Sequence, residues 1–114
     1  MRRAVHLIFW LGVAFDQAQA FKWYKRAAEA GDAKAHVNLG NCYDNGSGVA
    51  VDKAEAVKWY KCAAEAGHAN SQFNLGNCYT HGSGVAVDKV EALKWFKRAA
   101  DAGNADAQIA LTKF

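Results

Sequence analysis

Cys78 and His81 stand one helical turn apart, a spacing at which a thiolate and an imidazole could share a metal ion. A structural zinc site wants four ligands, however, and the place of His81 is taken by Asn45 when the same stretch of sequence occurs 36 residues earlier, so no metal is expected. His36 and His68 have no carboxylate or nucleophile at a matching position, and no catalytic constellation follows from them. Gly46-Ser47-Gly48 and its copy Gly82-Ser83-Gly84 offer backbone N–H groups to a phosphate. They lack the preceding strand and the following Lys-Ser/Thr of a phosphate-binding loop, and read as turns. Trp59-Tyr60 and Trp95-Phe96 offer rings for base stacking, but they share an apolar stripe with Ala63 and Ala99, where burial is expected. The residues capable of chemistry therefore predict no catalytic site, no cofactor and no enzyme.

The elements that must position them are set by a tandem repeat. Trp23, Trp59 and Trp95 are 36 residues apart, as are Gly31, Gly67 and Gly103, and Leu39, Leu75 and Leu111. Residues 32–67 and 68–103 align without a gap and are identical at 24 of 36 positions, which shared composition alone does not produce. The composition agrees with helix. Just over half of the 114 residues are apolar, 22% are charged and there is no proline. The net charge of +3 is small, and its cations are interleaved with Asp and Glu rather than gathered into a stripe.

Each unit is predicted to hold two helices. Helix A carries Ala35, Leu39 and Tyr43, then Ala69, Phe73, Leu75 and Tyr79, mostly on one stripe. Helix B carries Ala56, Trp59, Tyr60, Ala63 and Ala64 at amphipathic spacing, with Glu55, Lys58, Lys61 and Glu65 facing away. Asp52 with Glu55, and Asp88 with Glu91, have the spacing of a capping box, and Gly67 and Gly103 suit the left-handed residue that closes a helix. Gly40 and Gly76, inside helix A, are expected where a partner helix comes close.

The strings Ala-x-x-x-Leu-Gly-x-x-Tyr, Gly-x-Gly-Val-x-x-Asp and Ala-x-x-Trp-Tyr-x-x-Ala-Ala-x-x-Gly, read over residues 35–67, resemble the Sel-1-like repeat. The copy at 71–103 keeps the pattern with Ser71 for the first Ala and Phe96 for Tyr. The resemblance implies an all-α fold, a right-handed α/α superhelix of antiparallel helix pairs related to tetratricopeptide repeats, and a role as scaffold or adaptor. One secreted, cysteine-rich branch of that family is linked to β-lactam binding and has a disulfide from the end of helix B to the start of the next helix A. Cys42 and Cys78 fall in the middle of helix A and Cys62 in the middle of helix B, which departs from that arrangement. They read as small buried residues, and an odd cysteine count favours a reducing, cytoplasmic compartment.

The division expected is a divergent N-terminal helix plus a helix B over 1–31, complete repeats over 32–67 and 68–103, and the helix A of a truncated repeat over 104–114. Asp16 to Ala30 aligns with helix B, and Met1 to Leu11 takes the place of a helix A without its signature. Met1 to Ala20 also has the charge, apolar run and Ala18-Gln19-Ala20 ending of a signal peptide, which would place the protein outside the cell. Neither end has the polar outer repeat that closes a solenoid, so self-association through open ends, or membership of a longer array, is expected. No stretch reaches the ~20 apolar residues that span a bilayer, and no membrane partner is expected.

Seven of the twelve differences between the two complete copies lie on or just before helix A. In related solenoids that helix lines the concave groove. The expected partner surface is Lys34, Val37, Asn41, Asp44 and Asn45 in one unit and Asn70, Phe73, Asn77, Thr80 and His81 in the next. Asn offers a donor and an acceptor to an extended peptide, and Val37 and Phe73 offer apolar contact. The plain alternative is a solvated helix face without a ligand. The function expected is the binding of a protein or peptide. A helical-repeat RNA reader, or a structural piece of a longer array with no binding of its own, are the alternatives, and nucleic acid is not the expected partner.

Overall fold

The computed structural model describes residues 17–114. The expected cap over Met1 to Leu11, the helix start at Asp16 and all but the last four residues of the signal-like segment lie outside them. Among the described residues there are six helices and no strand. They are α1 (residues 17–29), α2 (Ala33–Asn45), α3 (Lys53–Glu65), α4 (Ala69–His81), α5 (Lys89–Asp101) and α6 (Ala105–Leu111). The odd-numbered helices are of type B and the even-numbered ones of type A. From α2 onward each helix packs chiefly on its neighbours in sequence, so the chain stacks as an α-solenoid of helix pairs. Its radius of gyration is 16.6 Å, against about 13 Å for a compact chain of this length.

Three different residues start the type A helices by the same chemistry. Asp32 Oδ1 accepts from Ala35 N–H at 3.1 Å, His68 Nδ1 from Ser71 N–H at 3.2 Å, and Asn104 Oδ1 from Ala107 N–H at 2.8 Å. Type B helices begin at Asp52 and Asp88, whose carboxylates accept from Glu55 and Glu91 N–H at 3.1 Å. Only this half of the expected capping box forms. The N–H groups of Asp52 and Asp88 are donated to the carbonyls of Tyr43 and Tyr79 at 2.9 Å, which leaves Glu55 and Glu91 nothing to cap.

The core lies between units as much as within them. Val57 and Ala64 of α3, Leu75 of α4 and Trp95 of α5 form one buried cluster, with Val85 of the turn packed against it. Ala92, Phe96 and Ala99 of α5 close on Ala107 of α6 in a second. A repeated polar contact joins the same elements. His36, Gln72 and Gln108 each donate from Nε2 to the carbonyl eight residues earlier, on Ala28, Ala64 and Ala100, at 2.9, 3.0 and 3.4 Å. The Gly-Ser-Gly turns are structural, as expected. Gly48 and Gly84 have φ of 75° and 73°, and a Cβ on either would overlap the carbonyl of Gln17 in α1 or of Lys53 in α3, the preceding type B helix in each case.

Candidate functional site

Helices α4 and α6, the type A helices of successive units, flank a cavity of about 680 Å³. Its floor is Phe96 of α5, 2% exposed, because Gly76 behind it has no side chain and lets the ring lie against α4. Phe96 is flanked by two rings, Phe73 of α4 at a centroid distance of 5.7 Å and Phe114, just past α6, at 5.6 Å with the Phe96 and Phe114 planes at 64°. Ile109 of α6 extends this apolar surface. Asn77, Thr80, His81, Lys89, Asp106 and Lys113 supply its polar lining.

The same place one unit earlier is chemically different. Tyr60 stands where Phe96 does, and its hydroxyl donates to Asn41 Oδ1 at 2.6 Å. Burial, and then the nearby Asp44, Cys78 and Cys42, push the Tyr60 phenol above its ordinary range, so it stays a donor. Asp44 is paired with Lys53, Nζ to Oδ1, at 2.7 Å, and the Asp44 carbonyl accepts from the same ammonium at 3.0 Å.

The structure brings Phe73, Asn77, Thr80 and His81 together around the cavity. Lys34, Val37, Asn41, Asp44 and Asn45 lie on α2, outside it. Lys34 and Asn45 are exposed, Val37 is half-buried, and Asn41 and Asp44 have one acceptor committed to Tyr60 or Lys53. Asn70 accepts from Asn104 Nδ2 at 2.9 Å and so ties α4 to the start of α6. Thr80 donates to the Gly76 carbonyl of its own helix at 2.8 Å. Missed in the sequence were Lys89, Phe96, Asp106, Ile109, Lys113 and Phe114. Three of these carry a signal, since Asp106, Ile109 and Lys113 are 36 residues beyond the expected Asn70, Phe73 and Asn77.

Cys42 is buried, whereas Cys62 and Cys78 are only half-buried, which corrects the expectation of burial for all three. Burial pushes the Cys42 and Cys78 thiols up, away from the reactive thiolate. Among the described residues no three His, Cys, Asp or Glu side chains cluster as metal ligands would. Trp95 and Tyr60 are buried, as the apolar stripe predicts, while Trp59 is half-buried and stacked on His36. No helix of the described residues is long and apolar enough to cross a membrane.

Comparison with curated proteins gave no match. Among solved structures, the chain is similar to a protective antigen of uropathogenic Escherichia coli strains displaying an SLR fold, with 48% identity and a TM-score of 0.77 over 79% of this chain and 19% of the other. A Sel1 repeat protein from Oxalobacter formigenes is 43% identical with a TM-score of 0.77, over 79% of this chain and 37% of that one. Cysteine rich protein B of Helicobacter pylori is 29% identical with a TM-score of 0.72, over 76% and 65%. The chain thus spans about a fifth and just over a third of the first two. The Sel1 repeat pattern matches residues 10–32, 33–68 and 69–104, which together take in most of the sequence. Proteins built from this repeat are generally protein–protein interaction scaffolds rather than enzymes. With the repeat, the stacked helix pairs and these neighbours in agreement, the chain belongs to the Sel1 repeat family.

Proposed function

We propose that this chain is an interaction scaffold that holds a peptide or protein partner along the faces of its type A helices, from Lys34 to Asn45 on α2 and from Asn70 to His81 on α4. The observation that carries this reading is the cavity between α4 and α6, a concave apolar surface with polar groups at its margin, formed by packing alone. The solenoid supports it through packed helices, α4 held between α3 and α5 and α6 resting on α5.

The test is affinity capture from native lysate by the intact chain and by an Asn77→Ala, His81→Ala double variant. Neither residue belongs to the buried clusters, so the melting temperature is expected to stay unchanged while capture weakens about tenfold, the equivalent of one or two lost hydrogen bonds. A Lys58→Ala, Lys61→Ala variant on the outer face of α3 should capture as the parent does. Equal capture by all three proteins would refute the groove.

A further inference from the structure

We infer that the cavity between α4 and α6 receives a bulky apolar side chain of a partner segment whose flanking residues are acidic; this rests on the type A helices being the binding face. Two differences between otherwise matching units open the site. In the earlier unit the Tyr60 hydroxyl is satisfied by Asn41, and Lys53 is neutralised by Asp44, so that groove is closed on itself. In the later unit Phe96 replaces Tyr60 and removes the hydroxyl from the floor, while Thr80 replaces Asp44 and takes away the carboxylate. Thr80 turns its own hydroxyl back to Gly76, so Lys89, the counterpart of Lys53, is left without that partner at the rim.

The lining agrees with an apolar anchor. Ile109 and Phe114 are 56% and 52% exposed beside the buried Phe96, a contiguous apolar patch of the kind that marks a binding site. The 680 Å³ lies within the roughly 300–1,000 Å³ of pockets that enclose a ligand. A guest ring here would meet Ile109 and Phe114, the latter set edge to face on the buried Phe96. The rim selects the charge of what surrounds that anchor. Lys89 and Lys113 are both exposed, and Lys113 stands where the earlier unit has Asn77; Asp106 is the carboxylate among the lining residues.

The same charges disfavour the Trp23 face of a second copy as the occupant. Among the described residues the most exposed ring is Trp23 on α1, 62% exposed, with Lys22, Lys25, Arg26 and Glu29 around it. Docking that ring would set a patch of three cations and one carboxylate against a rim of two lysines and one carboxylate, and a net like charge on both faces works against that pairing. Acidic flanks reverse the sign of this contact.

Fluorescence anisotropy of the full chain with three labelled peptides tests the inference, each peptide carrying a central Phe-Leu flanked by Glu, by Ser or by Lys. The Glu-flanked peptide should bind at least tenfold more tightly than the Lys-flanked one, with the difference shrinking as salt is added. A Lys89→Glu, Lys113→Glu variant should invert that order, and Thr80→Asp, which restores a partner for Lys89, should weaken the Glu-flanked peptide severalfold and spare the Ser-flanked one. All three positions lie outside the buried clusters, and circular dichroism melting checks that the variants fold. Equal binding of Glu- and Lys-flanked peptides, or an order indifferent to the lysine reversal, overturns the inference. So does a dimer abolished by Trp23→Ser that the Glu-flanked peptide fails to dissociate. If Asn77→Ala, His81→Ala lowers capture of the native partner but the lysine reversal changes nothing, the groove stands and the acidic anchor falls. If capture ignores the helix A substitutions altogether, the groove itself falls.

Discussion

Gly76 is subject to two opposing effects that can be weighed. In the middle of α4 an alanine would favour the helix by about 1 kcal/mol. A Cβ there would sit 2.6 Å from Cε1 and 2.7 Å from Cδ1 of Phe96, well inside van der Waals contact. Phe96 is held between Phe73 and Phe114 and is buried, so the ring has little room to retreat, and overpacking of this kind costs about 1–3 kcal/mol. Gly76→Ala should therefore lower stability by about 1 kcal/mol net, and Phe96→Leu in the same chain should recover part of the loss. Urea unfolding measures both, and a Gly76→Ala protein more stable than the parent would show that the ring moves freely. The close approach at Gly40 and Gly76 is legible in the sequence, because a glycine inside a helix calls for a reason. The consequence of Thr80 and Phe96 is not. Each shows only as a difference between copies, and its meaning depends on contacts that the fold makes, Asp44 to Lys53 across a turn and Tyr60 to Asn41 across a helix pair.

Helix A is held to the preceding helix B by a contact that the sequence conceals for the opposite reason. His36 and Gln72 differ, and a comparison of copies takes that as freedom, yet with Gln108 they all donate from Nε2 to the last turn of the helix before. Different residues share one chemistry, as they do at the helix starts Asp32, His68 and Asn104. The helices and their period are readable because apolar spacing needs only residue type. This clamp is not, because it depends on where one nitrogen ends. Gln72 is the most enclosed of the three, and its Oε1 has no partner. Gln72→Glu keeps the shape and replaces the donor with a carboxylate facing the Ala64 carbonyl. It should cost about 3 kcal/mol at pH 7, the scale of an uncompensated buried charge. The sign with pH follows from linkage. Burial raises the folded-state pKa of the new carboxyl above its unfolded value of about 4.3, so the unfolded chain loses its proton first as pH rises. The penalty is then absent below about pH 4 and grows above it. Urea unfolding of variant and parent at pH 4 and pH 7 should show the gap widening with pH; an equal gap at both would remove the clamp as its cause.

Over the whole molecule, packing between sequence neighbours means that stability is distributed unevenly along the stack. α3, α4 and α5 share a cluster in which Leu75 is fully buried, whereas α6 is seven residues long and packs chiefly on α5. In such a chain each unit's stability is an intrinsic part plus the interfaces it shares, so an end helix with one interface opens at lower free energy than a central helix with two. Leu75→Ala removes a side chain from the junction of three helices and should cost about 2.7–5 kcal/mol, the range for buried leucines. Ile109→Ala, on the exposed side of α6, should cost under 1 kcal/mol, since most of that side chain is already in water. Amide hydrogen exchange separates the two cases. In the parent, protection should be greatest in α3 and α4 and least in α6. Leu75→Ala should lower it from α3 through α5, while Ile109→Ala should lower it in α6 alone. Uniform protection that falls everywhere after either change would mean that the repeats open as a single block, and that α6 shields the cavity as firmly as α4 does.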